Sequence, residues 1–539
     1  MVLACLLTSI ETRAETPKET PTEPAPNAGT QAEAQGEAQK APSKQPPHAP
    51  AATTSATPAE PTPTKPAEDA SPAKATGGTQ PQATEEPEQE SGLRVRKHTL
   101  SNGLRVVMSP DQTVPTVAIA MYYDVGSRNE KPGRSGFAHL FEHMMFQGSA
   151  NVAKGEHFQL IMNRGGSVNG TTSVDRTNYY ETLPSQELAL GLWLEADRAR
   201  SLAITQENFE NQRQTVMEER RQSYDNRPYA KSMLRINELA YGDYFPYAHS
   251  TIGKMEDLRQ APLSAVQAFF NTYYAPNNAV LSIAGDFVVE EAIALVEKYF
   301  GGLASRQTPR FEAGRVNPPQ AERFETMQDP LAELPAFHIA YHIPPDRSSD
   351  HYPLELMAII LGDGDSSRLY QELVKQRQVL QEIHVSTDGR RGPDLFSVWA
   401  IVASGQSAQE ARSAFYRNVE HIAKKGVTVR ELEKAKNRVR SAFVFGLETN
   451  LARAQRLAEF EMYWGDAKLL NSEAERYLKV TNEDIMRVAG QYFAASNRTV
   501  LDVVPAPKSL PSTQPTSIRD GYGGNHGEAS EIAQREVAR

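Results

Sequence analysis

The chain has 539 residues and a single cysteine, Cys5, near its start. The rest of the sequence therefore holds no disulfide bond and no thiolate metal ligand. Any metal site has to be built from histidine, aspartate and glutamate. A basic excess is missing as well, since the net charge is -10 at pH 7. Without surplus positive charge to neutralise phosphates, we expect no nucleic acid partner.

Long apolar runs are also missing. The mean hydropathy is -0.53, and no apolar run approaches the roughly 20 residues that a transmembrane helix of the mature protein needs. Residues 1–14 form a possible signal segment because 2–10 resemble the apolar core of a secretion signal, although the basic region expected before that core is missing. The same residues also fit a lipid anchor at Cys5. We therefore expect the protein to be exported.

Composition divides the remaining chain into segments. Residues 15–92 are rich in Pro, Ala, Thr and Glu and have no aromatic residue, so we expect them to be disordered. Residues 306–325 form a predicted linker, and 507–539 form a polar tail that we also expect to be disordered. Two ordered units remain, 93–305 and 326–506, each of ordinary domain size.

The order of the predicted elements indicates the fold. Both units run strand, helices, strands, helices, strand, which suggests an internal duplication on the scale of a whole domain. In the first unit, residues 98–108 form a predicted hairpin with its turn at Asn102-Gly103, and 167–173 and 177–182 form paired strands. Strands and helices come in separate blocks, so we expect an α+β fold: two related α/β sandwich domains, each an antiparallel-rich sheet packed against helices.

A metal-binding pattern lies in the helix predicted at 135–147. His139 and His143 are four residues apart, so their imidazoles share one helical face and can bind one zinc ion. Glu142 lies beside them and can take a proton from water at the metal without being a ligand. This His-x-x-Glu-His order is the reverse of the commoner His-Glu-x-x-His. Such a short match also arises by chance, but the apolar remainder of the helix favours a site buried under a sheet.

A catalytic zinc ion takes three protein ligands and keeps one position open. A later predicted helix offers Glu218 and Glu219, which follow His143 by 75 and 76 positions. Adjacent acids beside arginines are equally typical of a solvated helix face, so the residues alone leave the third ligand open. Other histidines, among them His157 and His249, have no partner at ligand spacing and are interpreted as structural.

Taken together, these residues resemble the pitrilysin/insulinase (M16) family of zinc metallopeptidases. The similarity is closest to its short-chain members, such as bacterial zinc proteases and mitochondrial processing peptidases, and it covers roughly residues 93–506. Further motifs that carry it lie at 165–173, 175–184, 192–198, 274–281 and 361–370. Because these motifs occur together, the resemblance is specific.

The resemblance implies a zinc-dependent endopeptidase that cleaves peptides or unfolded polypeptides by means of an activated water. Its ligand set implies one Zn2+ per chain, held by His139, His143 and Glu219, with Glu142 as the catalytic base. The family also has an assisting acidic residue one to two helical turns before the third ligand. Matching residues for that role are less clear in this sequence.

Glu210 or Glu207 is the candidate for the assisting acid, while Gln212 stands seven positions before Glu219. Family substrates lie as an added strand along a sheet edge, which here is 167–173. Asn169 on that edge is the expected contact with the substrate backbone, and a turn or cap role is its alternative.

Two residues of the second unit are further candidates for substrate contact. Arg368 and Tyr370 face the substrate in one interpretation, and form a helix-start salt bridge and a core contact in the other. The second unit has no His-x-x-Glu-His at the corresponding place, 351–358, so 326–506 resembles the inactive C-terminal domain of the family.

The resemblance also bears on partners and location. The family's closed chamber needs four such domains, so we expect a homodimer or a heterodimer with an inactive M16-like subunit. A non-catalytic scaffold or partner subunit is the alternative function, although the intact zinc-site residues argue against it. We expect the bacterial periplasm, with mitochondrial or cytoplasmic locations as alternatives. An acidic, Pro-rich leader disfavours a transit peptide.

Overall fold

A computed structural model describes residues 92–310, 312–314, 316 and 321–507. The predicted signal segment and the Pro-rich segment up to residue 91 lie outside the described residues, as does the tail from 508 onwards. Within the described residues, no helix is both long and apolar enough to span a membrane.

The first half of the structure is built on one sheet. Its strands are β1 (Arg96–Thr99), β2 (Arg105–Pro110), β3 (Thr116–Tyr123), β4 (Ser167–Thr172), β5 (Thr177–Pro184) and β6 (Ala279–Gly285). Its helices are α1 (Phe137–Met144), α2 (Glu156–Met162), α3 (Leu188–Ser201), α4 (Gln206–Arg220), α5 (Ala230–Tyr241), α6 (Phe245–Ala248), α7 (Met255–Gln260), α8 (Leu263–Tyr273) and α9 (Val289–Phe300). The six strands follow the order β1-β2-β6-β3-β5-β4, so β4 forms one edge.

The second half repeats this plan on five strands. They are β7 (Arg323–Asp329), β8 (Ala336–Ile343), β9 (Leu380–Thr387), β10 (Asp394–Val402) and β11 (Arg498–Pro505), in the order β7-β11-β8-β10-β9. The helices are α10 (His351–Gly362), α11 (Ala408–Lys425), α12 (Val429–Phe445), α13 (Asn450–Trp464), α14 (Glu473–Leu478) and α15 (Asn482–Tyr492), with a π-helical segment at Tyr370–Gln376.

The two sheets share one topology, which confirms the predicted α+β fold with two related domains. Apart from β1, each sheet places its strands in the order first, last, second, fourth, third. Each also has one parallel pair, β2 with β6 and β7 with β11, among otherwise antiparallel neighbours. The predicted hairpin is present as the antiparallel pair β1–β2.

Strand β7 was not expected from the sequence, and it begins inside the predicted linker 306–325. Its residues alternate between exposed and half-buried, and the strand pairs only with β11 at the edge of the sheet. An edge strand of this kind lacks the apolar pattern that identifies a buried strand in a sequence.

Helices from each half cover the sheet of the other half. Leu457 of α13 is fully buried against Val107 and Val280 of the first sheet. In the opposite direction, Ile236 of α5 packs against Leu501 of the second sheet. Burying a side chain such as Leu457 contributes about 1.5–3 kcal/mol. This exchange of helices makes the two sheets parts of one interlocked unit.

The loop between β9 and β10 also joins the two halves through buried charges. Arg391 of this loop donates to Asp124 at 2.6 Å, and its backbone N–H donates to Asp175 at 3.1 Å. Asp175 also accepts hydrogen bonds from Arg128 at 2.6 Å and from Tyr247 at 2.9 Å. This loop of the second half therefore adds two hydrogen bonds to acids that belong to the first half.

Candidate metal centre

Helix α1 carries the predicted metal-binding pattern, and its apolar face packs against the hydrophobic core of the first half. The buried residues of the helix are Phe137, Ala138, Leu140, Phe141 and Met144. His139, Glu142 and His143 lie half-buried on the other side. Gly136 precedes the helix with φ of 88°, and a Cβ there would lie 2.8 Å from the carbonyl oxygen of Ile252. Both observations require glycine at the start of α1.

The N-terminus of α1 is capped by a residue that the sequence analysis did not single out. Glu130 is buried and accepts the backbone N–H groups of Gly136 at 2.8 Å and Ala138 at 2.7 Å. His249 Nε2 lies 2.9 Å from the same carboxylate. Burial lowers the pKa of His249, but the hydrogen bond and the charge of Glu130 outweigh it, so the pKa is raised. A carboxylate at this position also interacts favourably with the helix dipole.

Three potential metal ligands converge beside α1. His143 Nε2 lies 3.4 Å from one carboxylate oxygen of Glu219, and His139 Nε2 lies 3.7 Å from the other. Ligand atoms of all three residues lie within 4.8 Å of one another. Donors about 2.1 Å from a tetrahedral zinc ion are about 3.4 Å apart, so the spacing fits zinc. Two imidazoles and a carboxylate are also a donor set that zinc accepts.

The third member of the group comes from α4, which lies alongside α1. Phe209, Gln212 and Val216 form the buried face of α4, and Glu219 follows one turn later on that face. Glu218 instead lies in solvent, where Arg221 donates to it at 2.8 Å. Helical rotation therefore selects Glu219, although the two acids are adjacent in the sequence.

Glu142 lies beside this group, at the end of the edge strand β4. The Thr172 hydroxyl, in the last residue of β4, donates to Glu142 Oε2 at 2.5 Å. The bond holds one carboxylate oxygen of Glu142. It also ties the free edge of the first sheet to α1, so an extended chain along that edge would pass the carboxylate.

Burial and mutual charge set the protonation of these groups. Burial lowers the pKa of His139 to about 4, and the charge of His143 acts in the same direction. Burial also raises the pKa of Glu142, against the hydrogen bond from Thr172. The hydrogen bond with His143 lowers the pKa of Glu219. A neutral His139 and an ionised Glu219 are the forms that bind a metal cation.

The candidates for the assisting acid lie away from the potential ligands. Glu207 is exposed, and Glu210 accepts hydrogen bonds from Arg213 and from Gln214. The side chain that α4 brings to His143 is instead the buried amide of Gln212. Burial lowers the pKa of His143, but the hydrogen bond with Glu219 and the charges of Glu142 and Glu219 raise it, and Gln212 adds to the same effect. Of Glu207, Glu210 and Gln212, only Gln212 lies close to the potential metal ligands, and its side chain is uncharged.

The candidates for substrate contact are divided between the halves. Asn169 is exposed on β4, and its side-chain oxygen accepts a hydrogen bond from the backbone N–H of the next residue, Gly170, at 2.8 Å. Arg368 donates twice to Glu431, at 2.9 and 2.8 Å, which is the helix-start salt bridge of the structural interpretation. Tyr370 packs against the hydrophobic core of the second half, which is the core contact of the structural interpretation.

A second group of potential ligands lies beneath the first sheet, and the sequence analysis missed it. His157, Glu181 and Glu195 are fully buried, with His157 Nε2 3.3 Å from Glu181. Burial raises the pKa of Glu181 to about 8 and lowers that of His157 to about 3. Arg198 donates to Glu195 and lies over the Tyr179 ring, so the group already contains a cation. No sequence spacing brings these residues together, since they lie on three different elements.

Comparisons with known proteins relate this chain to one family of peptidases. Residues 105–244 match a family model described as insulinase (peptidase family M16), and 261–439 match one described as peptidase M16 inactive domain. The zinc protease PqqE of Helicobacter pylori is 29% identical over 413 residues, which cover 76% of this chain and 92% of that protein.

Solved structures show the same relationship. A protease from Helicobacter pylori superposes with a TM-score of 0.73 at 27% identity, covering 77% of this chain and 100% of that chain. A peptidase M16 inactive domain from Pseudomonas fluorescens superposes with a TM-score of 0.70 at 18% identity, covering 78% of this chain and 100% of that chain. The second likeness shows the fold alone. The chain belongs to the insulinase family of peptidases, M16, in which relatives are named zinc proteases.

Proposed function

We propose that this protein is a zinc-dependent endopeptidase that hydrolyses peptides or unfolded polypeptides. One observation carries the proposal: His139, His143 and Glu219 converge with donor spacing that suits zinc, and Glu142 lies next to them. The names of relatives as zinc proteases support it.

The residues around the potential ligands suggest how the reaction proceeds. Zinc, when bound by His139, His143 and Glu219, supplies a Lewis acid that lowers the pKa of water towards neutrality. Glu142 takes the proton from the attacking water and passes it to the nitrogen of the departing amine. Thr172 holds one oxygen of Glu142 at 2.5 Å, which leaves the other oxygen for the water.

We propose that the substrate binds as an added strand on β4. Among the residues that the structure describes, this strand pairs with β5 alone, so its other edge has backbone groups that an extended peptide can pair with. Asn169 is exposed on this strand and Thr172 ends it beside Glu142. A substrate paired along β4 would therefore reach Glu142 with its backbone already ordered.

Replacing Glu142 with Gln tests the catalytic role. We expect Glu142→Gln to keep stoichiometric zinc and to lose turnover of an unfolded polypeptide by about a hundredfold or more, because the general base is gone. Zinc is measured by elemental analysis and turnover by release of new amino termini. Glu218→Gln is the matched control, since it changes an exposed acid beside Glu219. Undiminished peptidase activity in Glu142→Gln would contradict the assignment.

A ligand variant tests the metal separately. His143→Ala should lose most of the bound zinc, because one of three protein donors is removed. A purified His143→Ala protein that still binds one zinc ion per chain would contradict the ligand set.

The second candidate function is a non-catalytic scaffold or partner subunit. It is favoured by the likeness of most of the chain, 78%, to a structure described as a peptidase M16 inactive domain. We propose a homodimer or a heterodimer with an inactive M16-like subunit, which light scattering of the purified protein would test. Zinc-free and inactive protein, alone and with its partner, would favour the scaffold.

A further inference from the structure

A cavity of about 240 Å3 lies beneath the first sheet, at the end of β3. Its apolar wall is formed by Leu104, Met121, Phe300 and Leu303. The ends of α3 and α9 form its sides, and the segment that follows α9 lines its open mouth with the exposed residues Gly302 and Ala304. Sequence analysis did not single out any of these residues, and the proposed peptidase mechanism does not use them.

Two arginines line the same cavity, and each has hydrogen-bond donors to spare. Arg306 Nη1 donates to the carbonyl oxygens of Phe270 at 3.0 Å and Tyr274 at 3.4 Å. Arg200 Nη2 donates to the carbonyl oxygen of Tyr299 at 2.6 Å. A guanidinium group has five N–H donors, so most donors of both residues remain available.

Neither arginine is neutralised by an acid. Within the described part of the chain, Arg200 and Arg306 form no ion pair with an aspartate or a glutamate. The backbone of Arg306 is fixed because Asn277 bonds both its N–H, at 2.9 Å, and its carbonyl, at 2.7 Å. Arg306 therefore holds one positive charge at the cavity, and the exposed Arg200 supplies a second at its rim.

The hydroxyl group of a tyrosine completes the polar part of the wall. Tyr123 lines the cavity with 2% of its surface exposed. Its hydroxyl makes no hydrogen bond to the residues that the structure describes. The hydroxyl oxygen is not fully enclosed by the protein, so it faces the cavity and can donate to the acceptor oxygen of a ligand.

We propose that this cavity binds a medium-chain organic carboxylate, with its carboxylate at Arg200 and Arg306 and its apolar body between the aliphatic and aromatic side chains. Two guanidinium groups and a phenol hydroxyl are donors that suit a carboxylate. At about 30 Å3 per water-sized group, the cavity holds about eight such groups, which is close to an octanoate ion. The inference goes beyond the proposed peptidase function and does not depend on it.

The simpler interpretation is that both arginines only cap helix C-termini. Phe270 and Tyr299 lie in the last turns of α8 and α9, where free carbonyl groups attract cations. That role accounts for the hydrogen bonds that one terminal nitrogen of each arginine donates. It does not explain why an apolar cavity has an unbonded hydroxyl in the same wall as two arginines. The two interpretations differ in whether octanoate binds.

Calorimetric titration of the full chain with octanoate tests the proposal. We expect octanoate to bind saturably to the parent protein. Its binding should be at least about tenfold weaker in Arg306→Gln and in Arg200→Gln. Octan-1-ol, which lacks the charge, should bind the parent protein more weakly than octanoate does. Arg440→Gln is the matched control because Arg440 is exposed on α12, in the other half. No binding of octanoate, equal binding of octan-1-ol, or unchanged affinity in both cavity variants would overturn the proposal.

A second variant and a second ligand sharpen the test. Ala199→Trp fills the cavity from its half-buried side, so it should abolish octanoate binding while circular dichroism remains that of the parent. Octanoate binding undiminished by the tryptophan would place the ligand elsewhere and overturn the proposal. Tighter binding of acetyl-leucyl-leucine than of octanoate would overturn the ligand class in favour of a peptide C-terminus. None of these measurements requires zinc or peptidase activity, so a failed peptidase assay leaves them interpretable.

Discussion

Replacement of Glu130 with Gln tests whether the buried cap positions the metal-binding helix. The carboxylate accepts hydrogen bonds from Gly136 and Ala138 at the start of α1 and contacts His249 at 2.9 Å. Glutamine has the same shape, but its amide nitrogen can only donate. At least one buried donor therefore loses its acceptor in Glu130→Gln.

The magnitude follows from two contributions. An unpaired buried donor costs about 1–3 kcal/mol. Loss of the negative charge at the helix N-terminus costs about 0.3–1 kcal/mol more. We expect the free energy of unfolding to fall by about 2–4 kcal/mol in Glu130→Gln. Because His139 lies in the first turn of α1, we also expect zinc affinity to fall by about tenfold, as for other residues that orient ligands.

Urea denaturation and competitive zinc titration measure the two effects. Glu290→Gln is the matched control, since Glu290 is an exposed acid in the first turn of α9. We expect that control to change the free energy of unfolding by less than about 0.5 kcal/mol. A loss below about 1 kcal/mol in Glu130→Gln, or unchanged zinc affinity, would refute the capping argument.

Three further predictions concern stability. Asp175→Asn removes the charge that faces Arg128 and should lower the free energy of unfolding by about 3 kcal/mol in urea denaturation. Gly136→Ala forces a Cβ into a left-handed backbone at 2.8 Å from a carbonyl oxygen, so its thermal midpoint should fall by several degrees. Burial raises the pKa of Glu181 to about 8, so the folded state keeps a proton that the unfolded state releases from about pH 4.5 upwards. His157, with its pKa lowered to about 3, opposes this only below about pH 6.5, so Glu181 should lower stability by about 2 kcal/mol between pH 6.5 and 8. The decline over that range should be smaller by about that amount in Glu181→Gln.

Each of these predictions has an outcome that would contradict it. Wild-type stability in Asp175→Asn would mean that the buried ion pair of Asp175 with Arg128 is not energetically important. An unchanged midpoint in Gly136→Ala would mean that α1 begins without strain. A parallel decline in Glu181→Gln would assign the pH dependence to another group.

Much of the first half could be predicted from local pattern. The hairpin at 98–108 follows from its Asn-Gly turn between apolar strands, and α1 follows from its apolar spacing. By contrast, β7 was missed because an edge strand with polar alternation resembles a linker. In the sequence, the duplication was visible only as a repeated order of predicted strands and helices. In the structure, apart from β1, it is visible as the same strand order in the two sheets.

The sequence by itself determined the pair His139 and His143, because four residues of α-helix bring two side chains onto one face. It could not determine that Glu219 rather than Glu218 turns towards them, since that depends on which face of α4 is buried. Nor could it assemble His157 with Glu181, or Glu130 with His249, whose separations of 24 and 119 positions follow no helical or strand period. Contacts between distant elements are set by the packing of the whole core, so only the tertiary structure decided them.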